Sequence, residues 1–381
     1  MSSSSMSRYG VLRVLAAGVL SATCGTLVLA QQRPAAKDQK PDPAAQAAAM
    51  AQQQEIQNMV RIADAAMSGQ QAPAEFPIQF QNDFLKAQGN RVWVPITLTV
   101  DAAKLSSNAL TIYLRVVPRG MTAPPALAPP PTDKNAKDKD KKKDSKNAAA
   151  PPPAAPSYPF EDAQMFDVKP VAGQPLRISR GIGVPSGSYD LYIVLHERPA
   201  AGAPAAAPAA GKTSVLKQPI DVPNYASGEF ATSTVILAER VDQLTEPIKP
   251  DQQSEHPYAF GQTEIVVAPD HKFKKSQELI VLMQIYNPML TPEKKFNLEA
   301  TYTFFRTEGG TEKRFNSTEP QLFNSDNMGA GFDPSGNSSI QAGQGVPLQS
   351  FPEGTYRLEI KVTDKLSAKV LTQNVNFTVT P

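Results

Sequence analysis

Along much of this chain, apolar residues return at every second position. In RVWVPITLTV (91–100), Val92, Val94, Ile96, Leu98 and Val100 share one face, with Arg91, Trp93, Thr97 and Thr99 on the other. Successive strand side chains point to opposite faces, so the pattern predicts a half-buried strand. Pro95 falls on the outward set without an amide to donate, which predicts an edge or a bulge there. ALTIYLRVV (109–117) repeats the alternation through Leu110, Ile112, Leu114 and Val116. Further strands are expected at 78–84, 165–168, 176–179, 189–195 and 214–222, about seven in all. A second series covers 263–381. It includes ELIVLMQIY, FNLEATYTFFR, TYRLEIKV and NVNFTV, the last with Val375, Phe377 and Val379 on one face. That series also counts out at about seven. One segment has helical spacing instead: Ile56, Val60, Ala63 and Met67 give a weak stripe over 47–67, read as a short spacer helix, with a helix that docks or pairs as the alternative.

The two series share a motif. VPSGSYDLYIVLHER (184–198) and FPEGTYRLEIKVTDK (351–365) align Pro185 with Pro352, Gly187 with Gly354, Tyr189 with Tyr356 and Leu191 with Leu358. Glycine accepts the positive φ of the turn entering a strand. The tyrosine buries its ring while its hydroxyl can bond back to upstream backbone, closing the corner between two sheets. Each copy precedes the last strand of its series. The expectation is an all-β chain of two tandem immunoglobulin-like β-sandwiches, about seven strands each, with a structural tyrosine corner in each (Gly187, Tyr189 and Gly354, Tyr356).

Proline, with 36 residues, clusters in Ala/Pro tracts that fix the domain map. The first sandwich is expected over 75–227, interrupted by disordered insertions at 121–157 and 199–211. A linker at 228–262 follows, then the second sandwich at 263–381. In the larger insertion lysines alternate with aspartates, which dilutes any basic patch. The net charge of +2 likewise gives no field that argues for nucleic acid.

Ahead of the sandwiches, Arg8 and Arg13 precede an apolar run at 14–29 closed by Ala30. This reads as a signal peptide over 1–30, and a disordered leader with the short helix fills 31–74. The alternative is an uncleaved segment that tethers the protein to a membrane; after cleavage no membrane span is expected. The single cysteine, Cys24, lies inside the signal, so no disulfide or thiolate chemistry is expected of the mature chain.

On VPSGSYDLYIVLHER, QPIDVPNY, STVILAE and FPEGTYRLEIKVTDKLSAKVLTQNVNFTV, the chain resembles tandem immunoglobulin-like or fibronectin type III-like domains of exported bacterial envelope proteins. More narrowly, it resembles the β-rich tails of von Willebrand A-related or GWxTD-containing secreted proteins. It has no GWxTD string and no Asp-x-Ser-x-Ser metal motif, so the resemblance implies architecture and export alone.

Candidate chemistry is sparse. His196, His256 and His271 are not at metal-ligand spacing, and no nucleophile elbow or phosphate loop occurs. Asp326, Asp333 and Asn337, in NSDNMGAGFDPSGNSS, are weak candidates for a calcium loop, with a plain solvated loop as the alternative. Trp93, with Tyr113 and Tyr192 on neighbouring strands, could form an aromatic platform for sugar rings, or could pack against another part of the chain. The expected function is a non-enzymatic binding or structural protein. It would be periplasmic, outer-surface or extracellular, would use no cofactor, and would contact an envelope protein or a glycan through sandwich edges and loops. The alternative is a carbohydrate-binding or accessory module for a separate degradative enzyme.

Overall fold

The computed structural model describes residues 43–121, 158–198, 211–328, 332–333 and 338–381. The expected signal and nearly all of both expected insertions lie outside these residues. What is described is all-β apart from one long helix, α1 (Pro43–Met67), and a few short 3-10 turns.

Eight strands build the first sandwich: β1 (Ile78–Asn82), β2 (Leu85–Lys86), β3 (Arg91–Val100), β4 (Ala109–Pro118), β5 (Phe160–Asp167), β6 (Leu176–Pro185), β7 (Gly187–Glu197) and β8 (Thr213–Val222). β1 and β2 lie in line along one side of β3, and β6 pairs on its other side. The facing sheet runs β5-β4-β7-β8. Counting β1 and β2 as one interrupted strand gives three strands against four. The alternating residues of β3 and β4 meet Leu191, Ile193 and Leu195 of β7 in a common core.

Pro95 departs from expectation. β3 is a central strand and Pro95 is buried within it. The missing amide is accommodated because the neighbouring strand breaks at that point: β1 ends at Asn82 and β2 resumes at Leu85, and Asp83 N–H donates to the Pro95 carbonyl at 3.0 Å. The ladder loses one bond there, and the break frees Asp83 for another contact.

Twelve further strands follow: β9 (Ala231–Thr232), β10 (Ile236–Gln243), β11 (Ala259–Phe260), β12 (Thr263–Val267), β13 (Lys272–Lys274), β14 (Glu278–Tyr286), β15 (Asn297–Glu308), β16 (Thr311–Ser317), β17 (Gln321–Asn324), β18 (Ile340–Pro347), β19 (Gly354–Asp364) and β20 (Val370–Thr380). One sheet runs β11-β12-β10-β14-β18, with β9 also on β14. The other runs β13-β20-β19-β15-β16, with β17 sharing the β15 edge. Their shared core is rich in phenylalanine.

The expected linker at 228–262 thus contributes β9, β10 and β11 to the second sandwich's sheet. β10 sits between β12 and β14 with Ile236, Leu237 and Ala238 buried. Pro247, Pro250 and Pro257 confine the irregular chain to 244–258, which turns back against the first sandwich.

The helix starts earlier than expected and takes the docking alternative: it lies on the outer face of the β5-β4-β7-β8 sheet, with Met59 and Ala63 buried against Tyr113 and Val194. Met59 lies off the sequence stripe, whereas Ile56 remains exposed. Small Ala63 lets the backbones approach, and every residue from Ala109 to Val117 is buried as a result. Residues 46–54 of the helix are exposed.

Candidate interaction surfaces

The aromatic residues of the expected platform do not meet. Trp93 lies in the β3 sheet, Tyr113 and Tyr192 in the facing one, and the three point out from opposite sides of the sandwich. Tyr113 lies under α1, and its hydroxyl donates to Glu161. Arg115, beside it, is buried and forks between Asp64 of the helix and Glu161 of β5. The Arg115 guanidinium also lies over the Tyr158 ring at 4.4 Å. This bidentate geometry is what Arg offers and Lys does not. Tyr192 is buried beneath the Lys217 ammonium, 5.4 Å from its ring centroid. These side chains fasten the helix and the sheet.

Trp93 packs at the junction of the two sandwiches. Its Nε1 donates to the Pro257 carbonyl at 2.9 Å, and its ring borders a cluster of Leu85, Ile236, Tyr258 and Val267. Tyr286, at the end of β14, is buried in the first sandwich's core, its ring tilted 50° to that of Tyr225 with centroids 4.7 Å apart. Its hydroxyl accepts from Lys86 N–H at 2.9 Å. Phe84 N–H donates to Thr234 Oγ1, and Thr234 N–H to the Phe84 carbonyl. Apolar burial and paired backbone groups therefore cross the junction together.

Asp83, freed by the ladder break, lies buried there and accepts from the Tyr258 hydroxyl at 2.6 Å. Burial pushes its carboxyl above the usual range, against the opposing pull of Tyr258, Thr234 and His271. A folded-state pKa above the unfolded one means that the folded protein retains a proton the unfolded chain releases. Its contribution is fully present below the unfolded value, about pH 4, and is lost as pH rises through the folded value. Between about pH 4 and 7, the urea midpoint of the wild type should therefore fall relative to that of Asp83→Asn. A constant difference would rule this out.

The two corners share glycine and tyrosine, and their hydroxyls bond back to carbonyls one aligned position apart. Gly187 and Gly354 have φ of 151° and 144°, backbone that a side chain would strain. The Tyr189 hydroxyl donates to the Ser186 carbonyl at 3.3 Å and the Tyr356 hydroxyl to the Pro352 carbonyl at 2.6 Å. Each ring belongs to its own sandwich core or borders it: Tyr189 to the first, Tyr356 to the second. Tyr356→Phe should cost about 1 kcal/mol by thermal melt, and Tyr189→Phe less, because its bond is longer. Equal costs, or none, would show that the hydroxyls do not close the corners.

The histidines are engaged in packing contacts. His196 bonds Thr213 at 2.8 Å, and His256 bonds Glu264 at 2.8 Å. His271 Nδ1 lies 3.0 Å from the Asn376 carbonyl, which can only accept, so that nitrogen carries the proton. Asp326 lines a cleft of about 220 Å³ with Lys295 and Leu366. Its loop is closed by Asn324 Oδ1, which accepts the amides of Asp326 and Asn327. Asp333 lies further along the loop, and Asn337 falls outside the described residues. Among the described residues, no three His, Cys, Asp or Glu side chains gather at metal-holding distance.

Strand edges are treated unequally. Through Gly187↔Val222 and Gly354↔Val379, β8 and β20 are equivalent, each beside its tyrosine-corner strand. The outer edge of β8 is covered: Val215 N–H donates to the Pro73 carbonyl at 2.8 Å and Glu75 N–H to the Thr213 carbonyl at 3.2 Å. Ser214 Oγ holds both backbone groups of Phe76. Lys217 and Pro219 follow on the same edge. On β20 the outward groups belong to even-numbered residues, as the bonds from Thr378 N–H to His271 and from Lys275 N–H to Thr380 show. β13 covers only Thr378–Thr380. Among the described residues nothing bonds the outward backbone groups of Val370, Thr372 and Asn374. That edge signal was present in the sequence as the contrast between Lys217-x-Pro219 and Asn374-x-Asn376, and the strand alternation overshadowed it.

No helix among the described residues is long and apolar enough to cross a membrane. No protein-family model matches the chain, and no curated protein does. Among solved structures, it is similar to a calcium-binding mutant of Bacteroides uniformis β-glucuronidase 2, at 9% identity and a TM-score of 0.23. The match covers 79% of this chain and 33% of that one, so the chain spans about a third of the length of the protein it matches.

Proposed function

We propose that this chain is an exported, non-catalytic binding or structural protein of a bacterial cell envelope, in which two immunoglobulin-like or fibronectin type III-like sandwiches present edges and loops to another envelope protein. The junction carries this reading. Tyr286, Tyr258 and Trp93 are each seated across it, with hydrogen bonds to Lys86, Asp83 and Pro257. A joint of this kind holds two modules at fixed spacing, which suits a spacer or scaffold. Export rests on the Arg8/Arg13 charges and the apolar run that follows them.

The test is capture from the envelope fraction of the source cell on immobilised full chain, with a glycan array run alongside. A discrete polypeptide retained through salt washing, with a blank array, is the expected result. Sugar binding, or turnover of a glycoside substrate, would overturn the reading.

A further inference from the structure

The two equivalent edges differ in one respect that bears on a partner. In the first sandwich the chain entering the fold lies antiparallel along β8, with Ala74 opposite Ser214, and seats Phe76 in the core. In the second, the entering chain goes instead into the opposite sheet as β10. The place beside β20 is left open from Val370 to Asn374, beyond which the Asn376 carbonyl accepts from His271 Nδ1.

Position by position, Thr213 and Val215, which are covered, correspond to Val370 and Thr372, which are not. Lys217 and Pro219 correspond to Asn374 and Asn376. Charge and proline are the usual protections of an exposed edge, and β20 has neither. Val370 is 54% exposed. On the core side Leu371 and Val375 are only partly covered and border the second core. An unpaired ladder beside half-covered apolar side chains is what strand addition requires: backbone bonds give affinity, and alternate side chains give specificity.

We propose that the open edge of β20 is the docking site of the protein-binding role inferred above, and that its occupant is an extended segment of another polypeptide. The segment lies antiparallel to 370–374 and places apolar residues at alternate positions over Leu371 and Val375. The model for it is in the molecule, in the Pro73–Phe76 strip on β8. A second copy of β20 fits less well. Two such strands paired about Gln373 would bring each copy's β13, which occupies the same edge, onto the other's 365–369 turn. The leader at 31–42 and the tracts at 122–157 and 199–210 have no large apolar residues at alternate positions and do not match either.

The experiment pans phage-displayed linear nonapeptides against the full chain and compares it with Asn374→Lys/Asn376→Pro, which gives β20 the protections of β8. Pro219 shows that a strand of this geometry accepts proline there, and a thermal melt checks the fold. Asn374→Lys alone is the gentler second variant.

Enriched peptides should be uncharged and alternating. They should lose more than about tenfold in affinity on the double variant and about threefold on the single one. They should also slow hydrogen exchange at Thr372 and Asn374. No enrichment, equal binding to both variants, or protection elsewhere would overturn the proposal. So would a β20-dependent dimer in sedimentation, which would make a second copy the occupant. An envelope polypeptide captured equally by wild type and double variant would sink this proposal and leave the broader reading standing.

Discussion

Phe351→Ala is expected to cost about 3–5 kcal/mol, the largest single effect in the molecule. Phe351 is buried where the chain enters the second corner. Its ring lies 4.9 Å from Phe315, 5.2 Å from Phe304 and 5.3 Å from Tyr356. Alanine removes the ring that these aromatic neighbours pack around, and they are too large to collapse into the space. The change also loosens Pro352, which accepts the Tyr356 hydroxyl. The equivalent residue in the first sandwich, Val184, is equally buried but smaller, so Val184→Ala should cost less. In urea, far-UV circular dichroism should show Phe351→Ala unfolding at a lower midpoint, and Trp93 fluorescence, which reports the junction with the second sandwich, should move with it. An unshifted midpoint would refute this.

Gly181→Ala should expel Trp93 from the junction. A Cβ at Gly181 would stand 2.0 Å from Cζ2 and 2.5 Å from Cη2 of the indole, distances that no small relaxation absorbs. The ring must leave, and its 2.9 Å bond to the Pro257 carbonyl goes with it. Overpacking of this kind costs about 1–3 kcal/mol. Trp93 is the only tryptophan, so its emission reports the junction directly and should shift to the red in the variant. Unchanged emission would mean that the indole does not rest on Gly181. Trp93→Phe, which keeps an apolar ring but not the N–H, should lose about 1 kcal/mol.

The strands with clean alternation were legible because period-two patterning survives wherever one face meets a core. β3, β4, β14, β15, β19 and β20 are of this kind. The paired glycine and tyrosine positions were legible because a corner needs a particular backbone and a particular ring. Other features depend on partners distant in sequence. Pro95 reads as an edge residue until β1 and β2 are seen to part opposite it. β10, ILAERVDQ, alternates poorly because only its first three residues are fully buried. Trp93 reads as outward and is outward, yet the chain at 254–258 folds back to cover it. The role of α1 was hidden for a related reason: its contact rests on Ala63 and on a buried arginine of β4, and neither makes a strong apolar stripe.

Among the described residues, the side-chain contacts of that helix with the sheet begin at Glu55. At about 1.5 Å per residue, the exposed stretch 46–54 runs about 14 Å along the axis ahead of them. It is mostly alanine and glutamine, and a segment that short does not hold helix by itself in water. It persists as an outrigger on the anchored half, and its amides should fray progressively toward Pro43. Any pull on the chain ahead of the helix would travel down this lever and reach Glu55, beside His196, and buried Met59 before the Arg115–Asp64 clasp, which makes that clasp the last of these holds on the first sandwich to give.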